Sequence, residues 1–479
     1  MNIKNRVSKL TIGLIVMAFT AVSQAETALD RYLAKDDGFY QWEHVETHDQ
    51  TLHKAHELDV TSQKWLTEEE VSLPVWKHQV FVHIPKAFNL AKWAVKDAIV
   101  YLSGGRNQKA YDPDSTVIMA TDITQKIVIE VKQIPNQKMT IVGDGDYQYD
   151  EDFLVARSFE KFLETGNEEW PVYLPMVKGA VKSMDAAMEY LASIGFKNVE
   201  DVVVVGASKR GWATWLTGAV DDRVVGILPA VIDVLDIDES LQQQWEASGD
   251  YYPILLPYWE RDLPCRFLTP EGQDLMAIVD PLEYQDRLAG KEKFILNGAS
   301  DSFFLNTNAS HYWDKVSEPK TLRYVPNTGH GLNEESLVTG FLWAAKVLNK
   351  VIKSNTVAPD FYWERNEETS KLTVYTSKLP LVAKFWTAKN DVRDFRLELV
   401  GDEAWSSETV SLFDMTPVWM DKNGNGIPEL WYSFERELDA PDEGGYEASM
   451  FSLNFGINTY STSIYVTPNE LPYEGLHCQ

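Results

Sequence analysis

Short apolar runs alternate with longer helical patterns across residues 94–353, and this alternation limits the fold more than any other feature of the chain. The predicted strands cover residues 98–102, 127–131, 202–205, 224–231, 294–296 and 322–325. The predicted helices cover residues 152–163, 174–194, 209–219, 240–247 and 334–351. Strands that alternate with helices form a mostly parallel, doubly wound sheet covered on both faces. Ligands bind such sheets at the carboxyl ends of the strands, so the residues after each apolar run are the ones to inspect.

The pattern changes on both sides of this region. Residues 40–84 favour extended segments, which we expect to form an N-terminal antiparallel extension of the sheet. After Ala358 the helical pattern stops and alternating apolar residues dominate, which predicts a boundary near Asn355. The predicted organisation is an α/β domain over residues 26–354 with an inserted cap around 236–285, followed by a β-sandwich-like domain over 355–479.

The N-terminus indicates export. Lys4, Arg6 and Lys9 precede an apolar run over residues 10–22, and small residues occupy the two positions that determine cleavage after Ala25. This arrangement predicts a signal peptide over residues 1–25 and a periplasmic or secreted protein. An uncleaved anchor is the alternative, although the run is shorter than the roughly twenty residues that a spanning helix needs. No later stretch predicts a transmembrane segment.

Charge and cysteine content exclude several classes of function. The chain has 72 acidic and 44 basic side chains and a net charge of −28, so we expect no nucleic-acid partner. Its two cysteines, Cys265 and Cys478, cannot build a cysteine zinc site. In an oxidising compartment they form either one disulfide or two independent thiols, and the sequence leaves both open. There is no Gly-Lys-Ser/Thr phosphate loop, and we expect that the protein requires no cofactor.

A strand, a sharp turn and a helix meet at Ser208. The apolar run at residues 202–205 leads into Gly206-Ala207-Ser208-Lys209-Arg210-Gly211, and a helical pattern follows at once. A turn of this kind presents a serine hydroxyl at the top of a sheet and directs the N-terminus of the helix towards a developing oxyanion. The usual turn has glycine two residues after the serine, whereas this chain has Arg210.

A nucleophilic serine needs a histidine base and an acid that orients it. Asp301 follows the predicted strand 294–296, and His330 follows the predicted strand 322–325. The order Ser208, Asp301, His330 is the order found in α/β-hydrolases, and all three residues follow apolar runs. We therefore predict a catalytic triad. Asp233 also follows a predicted strand and is the alternative acid.

The oxyanion should be held by backbone amides. Lys209 supplies one from the start of the helix after Ser208, and the loop after the predicted strand 98–102 supplies a second through Gly104 and Gly105. An ordinary tight turn at these two glycines is the alternative.

Two further groups of residues suggest metal binding. Asp421, Asn423, Asn425 and Glu429 place oxygen side chains around Gly426, which is typical of either a short calcium loop or a polar Asn-Gly hairpin. A structural calcium ion is therefore one of two predictions for this loop. Four histidines also crowd residues 44–56, but without a matching carboxylate pattern we predict solvated strand residues there.

Several segments resemble one known family. They are residues 28–32, 36–42, 61–65, 206–215, 297–304, 325–330 and 393–396. On these segments the chain resembles the PhoPQ-activated pathogenicity-related proteins, exported proteins with an α/β-hydrolase fold. The resemblance implies the fold and leaves the substrate open. The turn Ser208-Lys209-Arg210-Gly211 is also similar to the Ser-Arg-x-Gly turn of glucuronoyl esterases.

The sequence thus predicts an exported serine hydrolase, an esterase that works through an acyl-enzyme intermediate. The substrate would be a small-molecule, carbohydrate or peptide ester. A peptidase or amidase with the same triad is an alternative, because the same groups cleave amides. A second alternative is a catalytically weak hydrolase that acts as a binding module at the cell envelope or a host surface, which the unusual Arg210 favours.

Overall fold

The structure is a computed structural model that describes residues 26–107, 109–353, 359–422, 426–442, 444–475 and 478. The predicted signal peptide, residues 1–25, and the predicted boundary at Asn355 lie outside the described residues. Within the described ranges, no helix is both long enough and apolar enough to cross a membrane.

A nine-stranded sheet forms the centre of the molecule. Its strands are β1 (Gln41–Asp49), β2 (His53–Lys64), β3 (Val75–Pro85), β4 (Asp97–Leu102), β5 (Ile127–Val131), β6 (Asp201–Ala207), β7 (Val224–Ala230), β8 (Glu292–Gly298) and β9 (Lys320–Val325). Their spatial order is β1-β2-β3-β5-β4-β6-β7-β8-β9. The first three strands pair antiparallel, and the pairs from β5 to β9 are parallel. This is the sheet of an α/β-hydrolase with one added edge strand, which confirms the predicted fold class.

Helices cover both faces of the sheet. The first part of the chain contributes α1 (Ala28–Ala34), α2 (Ser115–Thr124), α3 (Glu151–Thr165), α4 (Tyr173–Ser193) and α5 (Lys209–Val220), and α12 (Glu334–Lys353) follows the last strand. Val202 and Val204 of β6 belong to the core beneath α4 and α5, whereas Val203 and Val205 belong to the core beneath α2 and α12. Successive side chains point to opposite faces of a strand, so a strand buried on both faces is an unbroken apolar run.

The segment predicted as a cap is a series of helices. They are α6 (Ile237–Ser248), α7 (Leu256–Trp259), α8 (Leu263–Phe267), α9 (Pro270–Val279) and α10 (Gln285–Leu288). Only part of α6 was predicted from periodicity. The next helices are short, and α7, α8 and α9 each have proline in their first turn, where its missing N–H is tolerated. Four or five residues are too few to show helical periodicity.

The C-terminal region is built of two antiparallel sheets. One contains β10 (Phe361–Asn366), β11 (Lys371–Thr376), β14 (Thr416–Met420) and β15 (Glu429–Glu437). The other contains β12 (Val382–Asn390), β13 (Ser406–Val410), β16 (Tyr446–Asn454), β17 (Thr459–Ser461) and β18 (Tyr465–Thr467). Two further short helices are α11 (Ala309–Tyr312), which lies between β8 and β9 of the central sheet, and α13 (Leu397–Val400), which lies between β12 and β13. Residues of both antiparallel sheets, including Val374, Phe434 and Phe451, share one apolar core.

A disulfide joins the end of the chain to the cap. Cys265 of α8 and Cys478 are bonded, with 5.3 Å between their Cα atoms and a sequence separation of 213 residues. This resolves the question that the sequence left open. A cross-link that closes so long a loop stabilises the folded chain by about 2–5 kcal/mol, chiefly because it restricts the unfolded chain.

Candidate active site

Ser208 lies in a strained turn between β6 and α5. Its backbone has φ 56° and ψ −128°, a conformation that residues other than glycine rarely adopt. A Cβ atom at Gly206 would lie 2.4 Å from the carbonyl oxygen of Arg210, and one at Gly211 would lie 2.9 Å from the carbonyl oxygen of Ala230. Glycine is therefore required two residues before and three residues after the serine. The close approach to β7 is made by Gly211, so the position of Arg210 is free to carry a side chain.

The structure brings Ser208, His330 and Asp301 together. His330 Nε2 lies 2.9 Å from Ser208 Oγ, and His330 Nδ1 lies 3.0 Å from each carboxylate oxygen of Asp301. Asp301 is buried and also accepts a 2.8 Å hydrogen bond from the Phe303 N–H. The carboxylate holds the proton on Nδ1, which leaves Nε2 to accept the serine hydroxyl proton. The Phe303 ring lies against the imidazole, 4.2 Å between centroids, and fixes its plane.

The other candidate acid has different partners. Asp233 follows β7, is buried, and accepts hydrogen bonds from the hydroxyl groups of Tyr312, at 2.5 Å, and Tyr324. No hydrogen bond joins it to His330 within the described part of the chain. Burial raises the pKa of Asp233 to about 7, although the two tyrosines oppose the shift. Of the two acids, Asp301 is the one in contact with the histidine.

The backbone groups predicted to hold the oxyanion are available. In the part of the chain that the structure describes, the N–H groups of Gly104, Gly105 and Lys209 donate to no protein group. The neighbouring donors are occupied, since the Ser103 N–H bonds to the carbonyl oxygen of Val131 and the Arg106 N–H bonds to the Tyr111 hydroxyl. Lys209 is the first residue of α5, where N–H groups have no partner within the helix.

Arg210 points into the protein and ties three segments together. Its Nε donates to the carbonyl oxygen of Ile134 at 2.5 Å, and its Nη atoms donate to the Glu151 carboxylate at 2.7 and 2.8 Å. A Cβ atom at Gly104 would lie 2.6 Å from Nη2, so the guanidinium packs directly on the loop after β4. Burial alone would raise the pKa of Glu151, but the hydrogen bonds and charge of Arg210, together with Lys209 and Gln137, lower that pKa to about 2. The unusual turn residue therefore braces the glycine loop.

Lys209 is also neutralised within the protein. Its Nζ lies 2.7 Å from Asp152, which accepts a second hydrogen bond from the Tyr258 hydroxyl at 3.0 Å. Glu151 and Asp152 begin α3, far from Ser208 in sequence, and nothing in the local sequence marked them as part of this site. The charge of Lys209 is thus compensated before any substrate binds.

An apolar cavity of about 50 Å³ opens at Ser208. Aromatic and aliphatic side chains from α3, α5, the cap and the loops after β7 and β8 line most of it: Phe159, Trp212, Ile232, Val234, Leu241, Phe267, Phe303 and Phe304. Among the described residues, three buried polar atoms on its wall have no hydrogen-bond partner: Tyr173 Oη, Gln244 Oε1 and Asn308 Oδ1. The cavity suits a small, mainly apolar group beside the serine.

The predicted calcium loop connects β14 to β15. Asn423 and Asn425 lie outside the described residues. Asp421 Oδ2 accepts a 2.8 Å hydrogen bond from the Gly426 N–H, and Glu429 begins β15, where it pairs with Met420. Calcium binding at this loop stays a prediction.

The four N-terminal histidines differ in burial: His44 is exposed, His48 and His56 are half-buried, and His53 is buried. The prediction of solvated residues is wrong for His53, which is fully buried and contacts Asp122 at 2.7 Å and His83 at 3.1 Å. In β1 and β2 the side chains of Glu46, His48 and Glu57 come within 4.8 Å of one another and could hold a metal ion. Glu57 is paired with His48 at 2.9 Å.

Known proteins match this chain over different lengths, from about half of it to nearly all of it. Autocrine proliferation repressor protein A of Dictyostelium discoideum is 31% identical over 97% of this chain and 95% of its own length. Acetyl esterase Axe7A of Xylanibacter ruminicola is 23% identical over 56% of each protein. The solved acetyl xylan esterase 1 of Thermoanaerobacterium sp. is 13% identical, with a TM-score of 0.43 over 67% of this chain and 92% of that one. The model of the PhoPQ-activated pathogenicity-related proteins matches residues 29–396, and the chain belongs to this family.

Proposed function

We propose that the protein is an exported serine hydrolase that cleaves carboxylic esters through an acyl-enzyme. The observation that carries the proposal is the pair of contacts made by His330, with Ser208 at 2.9 Å and Asp301 at 3.0 Å. A binding module needs neither an oriented base nor a serine held in a strained turn. Arg210, which favoured that alternative in the sequence, has a structural role instead.

Each step has a residue to perform it. His330 takes the hydroxyl proton as Ser208 Oγ attacks the acyl carbon, and the Asp301 carboxylate stabilises the resulting imidazolium. Backbone N–H groups of Lys209 and of Gly104 or Gly105 donate hydrogen bonds to the carbonyl oxygen and stabilise the negative charge that forms there. His330 then gives its proton to the departing alcohol. In the second half of the reaction it activates water, which releases the acid and restores the serine.

The small cavity favours a short acyl group. About 50 Å³ of apolar space beside Ser208 accommodates a group such as acetyl better than a long acyl chain or a bulky amino-acid side chain. The relative named as an acetyl esterase supports the same substrate class. A peptidase with this triad would have to place the side chain on the acyl side of its scissile bond in the same space, so the cavity disfavours peptides with bulky residues there.

Fluorophosphonate labelling followed by mass mapping tests the mechanism. We expect one label on Ser208, and no label in Ser208→Ala or His330→Ala. Ser407→Ala removes an exposed serine on β13 and serves as the matched control, which should label like the wild type. Absence of labelling in well-folded protein would contradict the mechanism and favour the alternative of a binding module.

Competing esters then test the substrate class. With p-nitrophenyl esters of increasing acyl length, we expect kcat/KM to be highest for acetate and to fall as the chain lengthens. Peptide anilides should react far more slowly. A maximum at long chains or at peptides would reject the short-acyl assignment and leave the triad unaffected.

Export is the remaining part of the proposal. The Cys265–Cys478 disulfide is of the kind that persists in oxidising compartments, and the predicted signal peptide supplies the route. N-terminal sequencing of protein recovered from outside the cytoplasm should begin at Glu26. Retention in the cytoplasm with residues 1–25 intact would contradict it.

A further inference from the structure

Two arginines of the C-terminal region share a cavity that lies away from Ser208. The cavity has a volume of about 230 Å³, and Arg365 of β10 and Arg393 after β12 both line it. Thr307, Ser310 and Asn469 add polar groups to the same wall. Arg393 is 5% exposed, and the Arg365 side chain is 9% exposed.

Arg393 has no anionic partner among the residues that the structure describes. Among the described residues its guanidinium makes one hydrogen bond, from Nη1 to the carbonyl oxygen of Pro468 at 3.0 Å, and its Nε is buried without an acceptor. The adjacent carboxylate, Asp394, is taken by Arg396. Burial is the main cause that lowers the pKa of Arg393 to about 10; the charge of Arg365 acts in the same direction, and Tyr446 and Tyr252 oppose it. A buried cation with no counter-charge is strongly unfavourable.

Arg365 is only partly compensated. Its Nη1 donates to Asn469 Oδ1 at 3.2 Å, and its Nε lies 3.4 Å from Glu367, a largely exposed carboxylate, in a geometry that makes no hydrogen bond. The Tyr465 ring lies 5.2 Å from this guanidinium, and the Tyr446 ring lies 6.0 Å from that of Arg393. Aromatic faces attract cations but accept few of the N–H groups that a guanidinium carries.

Two guanidinium groups beside one cavity are suited to an oxyanion. Planar N–H pairs bind carboxylate and phosphate oxygens in a bidentate manner, and Arg is the preferred residue for this recognition. The concentration of positive charge is notable because the whole chain carries a net charge of −28. The Thr307 hydroxyl can donate to the same oxygens, whereas the Ser310 hydroxyl already donates to the carbonyl oxygen of Thr307 at 2.6 Å.

We propose that this cavity binds a small ligand through one oxyanion group, a phosphate or a carboxylate, held between Arg365 and Arg393. The ligand supplies the counter-charge that the protein lacks at this point. The site is independent of the proposed hydrolase reaction, although the two share a wall. Helix α6 presents Gln243 to the arginine cavity and Gln244 to the cavity at Ser208.

Isothermal titration calorimetry of the full mature chain tests the site, with inorganic phosphate and acetate as separate probes in chloride buffer of constant ionic strength at pH 7. We expect saturable binding of one probe molecule per chain for at least one of the two, and the tighter probe identifies the oxyanion. Arg365→Gln and Arg393→Gln should each weaken binding by about 10-fold or more, because a hydrogen bond to a charged group is lost.

Arg436→Gln is the matched control, since Arg436 lies on β15 and pairs with the exposed Glu408. It should bind the probes like the wild type. Circular dichroism shows whether each variant folds. Because Arg365 is nearer the surface than Arg393, Arg365→Gln alone tests the site if Arg393→Gln fails to fold. No saturable heat with either probe, or equal binding by Arg365→Gln and Arg436→Gln, would overturn the proposal. Ester hydrolysis and serine labelling are measured separately, so failure here leaves the proposed function intact.

Discussion

Two carboxylates follow neighbouring strands of the sheet and have different surroundings. Asp301, after β8, faces His330 with both oxygens and receives one backbone N–H. Asp233, after β7, faces two tyrosine hydroxyls. Both are almost completely buried, at 3% and 2% exposure, so burial does not separate them.

The two carboxylates differ in whether their hydrogen-bond partners can carry a positive charge. An imidazole can accept a proton and become a cation, so a carboxylate beside it stays useful as an anion. Tyrosine hydroxyls donate hydrogen bonds but do not supply positive charge, and the buried Asp233 is left with a pKa near 7. The same residue type at adjacent strand ends therefore contacts the proposed base in one place and two tyrosines in the other.

The largest expected effect comes from Asp301→Asn. The amide cannot hold the proton on Nδ1 of His330 or stabilise its charge, so kcat should fall by about 10³–10⁴-fold. Thermal unfolding should change little, since Asn fits the same space. Steady-state kinetics on a p-nitrophenyl ester measures the effect. A loss below 10-fold would show that another acid serves His330.

Asp233→Asn should leave activity nearly intact and change stability with pH. In the wild type the folded pKa of about 7 exceeds the ordinary value of 3.8, so the unfolded chain loses this proton first as pH rises. Below about pH 4 the Asp233 carboxyl does not change the free energy of unfolding. From there to pH 7 it lowers that free energy increasingly, by up to about 4 kcal/mol. Asn does not titrate, so the variant lacks this pH-dependent destabilisation. It should be more stable than the wild type at pH 7 and equal to it at pH 4.

Urea unfolding at both values of pH provides the measurement. Asp280, whose pKa burial also raises to about 7, is present in both proteins, so part of the pH dependence will persist in the variant. Parallel stability profiles for the two proteins would refute the assignment of a raised pKa to Asp233.

The smallest effect is expected from Tyr324→Phe. It removes one of the two hydroxyls bound to Asp233, which should destabilise the fold by about 1–2 kcal/mol at pH 7. Because Tyr324 does not contact His330, kcat should stay within about 2-fold. Tyr147→Phe, at a half-exposed position, is the control and should change neither quantity. A large drop in kcat with Tyr324→Phe would link the Asp233 cluster to catalysis.

The sequence predicted the central sheet well because its signals are local. A strand buried on both faces is a continuous apolar run, as in residues 202–205, and the residues that follow such runs gather at one edge. This is why Ser208, Asp301 and His330 could be grouped without a structure. The choice between Asp301 and Asp233 could not be made in the same way, because it depends on the direction of each loop and on tyrosines far along the chain.

Other parts of the site depended on contacts that no local pattern reveals. The role of Arg210 becomes clear only when Glu151 and Ile134 are brought to it. The cap helices α7 and α8 are too short for periodicity, so the cavity-lining residues that they supply, Tyr258 and Phe267, were missed. His53 was misjudged because its burial comes from α2, through Asp122, and from β3, through His83.

The strained backbone at Ser208 has a consequence for selection. A non-glycine residue at φ 56° and ψ −128° costs of order 1–3 kcal/mol, and glycine would adopt the same conformation with little strain. Ser208→Gly should therefore yield a more stable protein that cannot form an acyl-enzyme. Selection for stability alone would therefore favour glycine at this position, so serine is present there at a cost in stability.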